Sequence, residues 1–169
     1  MNWQARFCLR SHPATLTMNE FDVSRYLVAD LGDSPSDPAK TVLGYILAYQ
    51  KWARDCHLWA KAHRDQIAEL QTGPARQALV EIQRQFCSPA NRQFHRASTG
   101  YFFYGGTYDA YPVIASMNLD DKQSATVITE KNKPHSPSFR FQLRKQGQRW
   151  LIRSLERLDA SKRWVPDSL

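Results

Sequence analysis

From Asp37 onward the apolar positions recur every three or four residues. Val42, Tyr45, Tyr49, Trp52, Cys56, Trp59 and His63 fall on one side of a helical wheel. Asp37 followed by Pro38 is a strong helix start, a capping carboxylate and then a proline placed where no amide bond is lost. The pattern predicts one helix of roughly 25–33 residues, on the order of 40–50 Å long, with no Gly or Pro signal to interrupt it between Gly44 and Gly73. Gly73-Pro74 starts a second helix whose Ala75, Ala78, Leu79, Ile82 and Phe86 share a face, and Ser88-Pro89 stops it. Upstream, Thr17 and Glu20 have capping-box spacing. They predict a short helix holding Phe21, Leu27, Val28 and Leu31 and ended by Gly32, followed by a turn-rich loop, LGDSPSDP.

After residue 98 the period changes. YFFYGGTY is aromatic and interrupted by glycine, so it reads as extended. Tyr111 to Leu119 and Gln123 to Glu130 are candidate strands joined by a turn at Asp120-Asp121-Lys122. Ser138 to Lys145 alternates, with Phe139, Phe141 and Leu143 on one face and Arg140, Gln142 and Arg144 on the other. Gly147 supplies a turn, and Arg149 to Leu158 returns as the partner strand, with Trp150 and Ile152 inward and Arg153 and Arg157 outward. Helices first and strands second predict an α+β layout, helices packed on one face of an antiparallel sheet. Residues 1–36 read as an N-terminal arm with a short helix, and residues 37–169 as the single domain.

Charge adds a direction. The chain has 23 Lys and Arg against 16 Asp and Glu, a net +7. Residues 139–163 hold eight of the basic residues against Glu156 and Asp159, or 8 − 2 = +6. A balance this basic suits an acidic partner: nucleic acid, an anionic membrane or an acidic protein surface. Arg140, Arg144, Arg149, Arg153 and Arg157 are expected on the sheet face away from the helices, either as a solvated face or as a partner-binding site. Arginine suits interfaces opposite carboxylates. Because the hairpin's aromatic residues point inward, they are badly placed to stack on bases, so protein is favoured over nucleic acid as the partner. Tyr101 and Phe103 belong to a run of consecutive aromatics that cannot all enter one core, and they form a second candidate surface.

Catalytic signatures are weak. Tyr45, Tyr49, Trp52, Asp55 and Asp109 are the candidates for a pocket beneath the helices, but aromatic residues at helical spacing usually pack as core. The five histidines are dispersed, and His57 and His63 are six apart rather than four, so no metal site is expected. There is no GxSxG, P-loop or GxGxxG, and no cofactor is implied. Cys8, Cys56 and Cys87 are odd in number and widely spaced, so they read as buried or semi-buried thiols in a reducing compartment. No apolar run is long enough for a signal peptide or a membrane span, which gives a cytoplasmic expectation.

Two helices, then long strands closing on Phe141-Gln-Leu-Arg-Lys-Gln-Gly-Gln-Arg-Trp-Leu-Ile, resemble the NTF2-like fold over about residues 38–158. The resemblance implies a cone with N-terminal helices packed on a curved antiparallel sheet, and Trp150 and Ile152 beneath the helices. Pro112-Val-Ile-Ala-Ser, Val127-Ile-Thr-Glu, the closing hairpin and the trailing Trp164 look most like the NTF2-fold immunity proteins of bacterial polymorphic toxin systems. That likeness implies a non-enzymatic protein that binds and neutralises a cognate protein toxin by occlusion. A small-molecule-binding or isomerase-like cone protein and a basic nucleic-acid-binding module remain as alternatives, and a homodimer stays open because sheet-face dimers are common in this fold.

Overall fold

The structure is a computed structural model that describes residues 17–27, 37–89, 113–130 and 138–167. Helix α1 spans Pro38–Ala62, α2 Ile67–Thr72 and α3 Pro74–Phe86. Strands follow at Val113–Leu119 (β1), Ser124–Glu130 (β2), Phe139–Gln146 (β3), Arg149–Leu158 (β4) and Trp164–Pro166 (β5). Among the described residues the five strands pair antiparallel in the order β1-β2-β3-β4-β5, a meander in which sequence neighbours are sheet neighbours. The α+β layout read from the sequence is therefore the observed one.

Helix α1 starts where Asp37 predicts. The carboxylate accepts from the amides of Ala39 at 2.7 Å and Lys40 at 3.2 Å, satisfying donors that the first turn leaves open. Val42, Tyr45, Trp52, Cys56 and Trp59 are buried on its core face. Thr41, Ile46, Ala48, Ala53 and Asp55 are buried as well, so the helix is covered on more than one side. One side meets β1, β2 and β4, and the other meets α3, where the Trp52 indole N–H donates to the Ala75 carbonyl at 2.8 Å.

Helix α1 has 25 residues, the lower limit of the length read from the pattern, and it ends at His63 well before Gly73. The His63 amide donates to the Trp59 carbonyl at 2.9 Å, its ring Nδ1 lies 3.0 Å from that same oxygen, and the ring stacks on Trp59 with centroids 4.5 Å apart. Residues 64–69 are exposed, so no buried face holds the chain helical there, and α2 begins only at Ile67. The short helix expected after Thr17 is two 3-10 turns, Met18–Glu20 and Val23–Arg25. Glu20 does reach back to the Thr17 amide and hydroxyl, as the capping-box spacing predicts, while Val28, Leu31 and Gly32 lie outside the described residues.

This N-terminal segment is packed into the core. Phe21 and Tyr26 are buried, and the Tyr26 hydroxyl donates to Asp55 Oδ2 on α1 at 3.0 Å. Arg25 lies 3.5 Å from the same carboxylate oxygen, and Lys51 Nζ donates to the Arg25 carbonyl.

On the helix-facing side of the sheet, Ala125, Val127, Phe141, Leu143, Trp150, Ile152 and Leu155 are buried. Gly147 takes φ +60 in the β3–β4 turn, which is why glycine stands there. The free edge of β4 is covered twice. Its C-terminal half pairs with β5, and upstream Cys87 bridges Ile152 while the Ser88 amide donates to the Ile152 carbonyl at 2.8 Å. Such cover blunts an edge that would otherwise recruit other strands.

Candidate partner-binding site

The five hairpin arginines do not share one face. Arg140 and Arg144 of β3 pair with Glu156 and Leu151 and point away from the helices, and Arg149 pairs with Gln146 on that same outer side. The register slips between Gln142↔Ser154 and Leu143↔Ile152, which leaves Arg153 as the extra residue of a β-bulge. Every side chain beyond it is shifted by one. Arg157 therefore pairs with Phe139 and follows the buried Leu155 onto the helix-facing side, contrary to the simple alternation read from the sequence.

Much of this charge is met within the chain. Arg140 Nε is 2.6 Å from Glu156 Oε2, and its guanidinium lies 4.8 Å over the Trp164 ring. Arg157 pairs with Asp167 at 3.2 Å, and Arg163 with Asp159 at 3.4 Å. Arg149 donates to the Gln85 carbonyl at the end of α3. Arg144 helps hold the Asp121 carboxyl below its ordinary range, although the hydrogen bond from the Gln123 amide is the larger cause. The outer face also carries neutral polar pairs and a hydroxyl–carboxylate bond: Ser154 donates to Gln142 at 3.2 Å, and Thr126 to Asp120 at 2.9 Å.

Of the pocket candidates, Tyr45 and Trp52 are fully buried, and Tyr49 packs against both, with ring centroids 6.2 and 5.6 Å away. Burial pushes the Tyr45 hydroxyl well above its ordinary range. The groups acting on it are Cys87, Tyr49 and Gln83, none of them a carboxylate. Gln83 Oε1 is buried without a hydrogen-bond partner among the described residues. The carboxylate on α1, Asp55, is held by Tyr26 and Arg25, so it anchors the N-terminal segment rather than opening onto a substrate space. Cys56 and Cys87 are buried free thiols, both pushed up chiefly by burial, and their packing matches the sequence expectation. Tyr101, Phe103 and Asp109 lie outside the described residues. No group of three or more His, Cys, Asp or Glu among the described residues is placed to hold a metal ion.

An open feature at the sheet rim had no signal in the sequence. A cleft of about 440 Å³ is lined by Asp37 and Pro38 at the start of α1, Met117 and Leu119 of β1, Asp121 and Lys122 of the β1–β2 turn, and Lys145 and Trp150 of the closing hairpin. Met117 and Leu119 pair with the buried Val127 and Ala125, so they carry the apolar helix-facing side of the sheet onto its terminal strand. There they stay 40% and 61% exposed. Period-2 reading finds such a strand but cannot tell that its neighbours leave it uncovered.

Helices on one face of a five-stranded antiparallel meander, with aromatics filling the space between, define an α+β protein of NTF2-like architecture. The chain matches the model of the NTF2 fold immunity protein family over residues 37–168 and belongs to that family. No curated protein and no solved structure matches the chain. Among the described residues no helix is long and apolar enough to cross a membrane.

Proposed function

We propose that this chain binds and neutralises a cognate toxin of a bacterial polymorphic toxin system, acting in the cytoplasm by covering the toxin's active site and catalysing nothing itself. The observation that carries this reading is the family match across residues 37–168. The filled interior supports it: Tyr45, Trp52, Trp59 and Phe141 occupy the space where an isomerase-like cone protein would need a polar cavity. A net charge of +7 favours fast association with an acidic surface of the toxin. Residues 17–27, which precede the matched region, brace α1 through Tyr26 and Asp55.

The test is growth of cells producing the toxin domain encoded at the same locus, with and without this protein, followed by co-purification of the pair. Rescue with a stable one-to-one complex is the expected result. Absence of both rescue and complex refutes the reading and redirects attention to small ligands and nucleic acid.

A further inference from the structure

We propose that the rim cleft between β1 and the start of α1 is where the toxin docks, and that it receives a toxin segment presenting an apolar side chain flanked by carboxylates. The inference rests on the immunity reading and names the surface and the chemistry of its partner.

Three observations carry it. First, Met117 and Leu119 stand on the helix-facing side of the sheet, level with buried Val127 and Ala125, yet remain open to solvent. An apolar stripe that continues a core and then lies uncovered is the kind of surface a partner closes. Trp150, itself 4% exposed, forms the back of the cleft, so an inserted side chain would meet a rigid aromatic wall.

Second, the cleft's charges are unevenly committed. Its two carboxylates are already used by backbone amides, Asp37 by Ala39 and Lys40 and Asp121 by Gln123. Its two ammonium groups are not so engaged: among the described residues neither Lys122 nor Lys145 is in an ion pair, and Lys145 lies 5.9 Å over the Trp150 ring. The donors left open at the rim are therefore those of the lysines, and they suit carboxylates on the visitor.

Third, the arginine surface beside it is less available. Arg140 is paired with Glu156 and lies over Trp164, and Arg149 donates to the Gln85 carbonyl, so two of the outer-face arginines are already held within the chain. An apolar floor with a basic rim fits a toxin loop or helix end with one aliphatic or aromatic anchor between acidic residues.

The test uses the full chain and the toxin domain encoded at the same locus, with affinity measured by calorimetry and association rates measured across salt concentrations. Leu119→Glu and Met117→Glu change exposed side chains and should leave the fold intact by circular dichroism. Lys122→Glu with Lys145→Glu forms an independent variant that leaves the apolar floor untouched. Each should weaken binding about tenfold or more. The lysine variant should also lose most of the salt dependence of association seen for the unaltered protein. Gln142→Glu, on the outer face, should change affinity less than about threefold.

Wild-type affinity in the folded rim variants overturns the proposal while leaving the immunity reading intact. Failure of the unaltered chain to bind the toxin removes both. A homodimer that Leu119→Glu disperses in sedimentation, or a small molecule retained at the cleft in native mass spectrometry and lost with Met117→Glu, would likewise overturn it by naming a different occupant.

Discussion

Removing one oxygen atom tests whether the segment before the family match belongs to the folding unit. Tyr26 is fully buried, its hydroxyl is 3.0 Å from Asp55 Oδ2, and Asp55 is only 8% exposed. Tyr26→Phe keeps the ring and its packing but takes away the donor. The carboxylate is left with Arg25 at 3.5 Å as its remaining side-chain partner here. A hydrogen bond to a charged group is worth about 1.5–3 kcal/mol. In a domain of this size, 1 kcal/mol moves Tm by about 2–4 °C, so the substitution should lower Tm by about 3–12 °C at neutral pH. The assay is thermal unfolding of the full chain followed by near- and far-ultraviolet circular dichroism. Asp55→Asn and the double variant complete a cycle in which the two single losses should fail to add by about 1 kcal/mol or more. A Tm within about 2 °C of the unaltered protein, or strictly additive losses, would refute the idea that residues 17–27 are fastened through this bond.

The remaining predictions concern pH and the closing hairpin. Tyr26, Tyr45, Tyr49, Cys56 and Cys87 are all held protonated by burial, so each has a folded pKa above its unfolded one. Their contribution is fully present below about pH 8 and is lost as pH rises, because the unfolded thiols release protons near 8.5 and the tyrosines near 10 while the folded groups do not. Two thiols set an initial slope of about 2–3 kcal/mol per pH unit between about pH 9 and 10. Urea midpoints that stay level from pH 8 to about 10.5 would contradict this. On the hairpin, Arg140→Glu breaks the Glu156 pair and the stack on Trp164, both partly buried, and should cost about 1–3 kcal/mol in urea unfolding. Arg144→Glu, an exposed substitution, should stay within about 0.5 kcal/mol, and equal costs at the two sites would argue against β5 being held through Arg140.

How much the sequence revealed depends on whether a feature is local. The Asp37-Pro38 cap, the spacing from Val42 to Trp59 and the glycine at the β3–β4 turn each specify structure within a few residues, and all three are observed. Where within the expected length α1 would end was unmarked, because no Gly or Pro stands at His63. The end there arises from the loss of a buried face after Trp59, which is a tertiary fact. The bulge at Arg153 was equally invisible: alternation assumes one residue opposite one, and a single extra residue transfers Arg157 to the other side. The bond between Tyr26 and Asp55 spans 29 residues and had one faint signal, a carboxylate beside Cys56 on an otherwise apolar face. The rim cleft draws on α1, β1, two turns and β4, so no single stretch of sequence announces it.

The order of elements also shapes how the chain must be made. Because the sheet is a meander, each strand needs only the one before it, and contacts this local favour quick closure once the strands exist. The helices, however, leave the ribosome first. Trp52, Cys56 and Trp59 are complete when Ala62 is added, while the strand that supplies Trp150, Ile152 and Leu155 ends at Leu158. At the usual pace of synthesis, about 5–20 residues per second, that leaves an aromatic helix face without its sheet for roughly 5–20 s. Helix α3 and the segment around Tyr26 are already available then, and they shield α1 on its other flank. One face of one helix is therefore the apolar surface the nascent chain exposes longest, and slowing translation after Phe86 should lengthen that exposure.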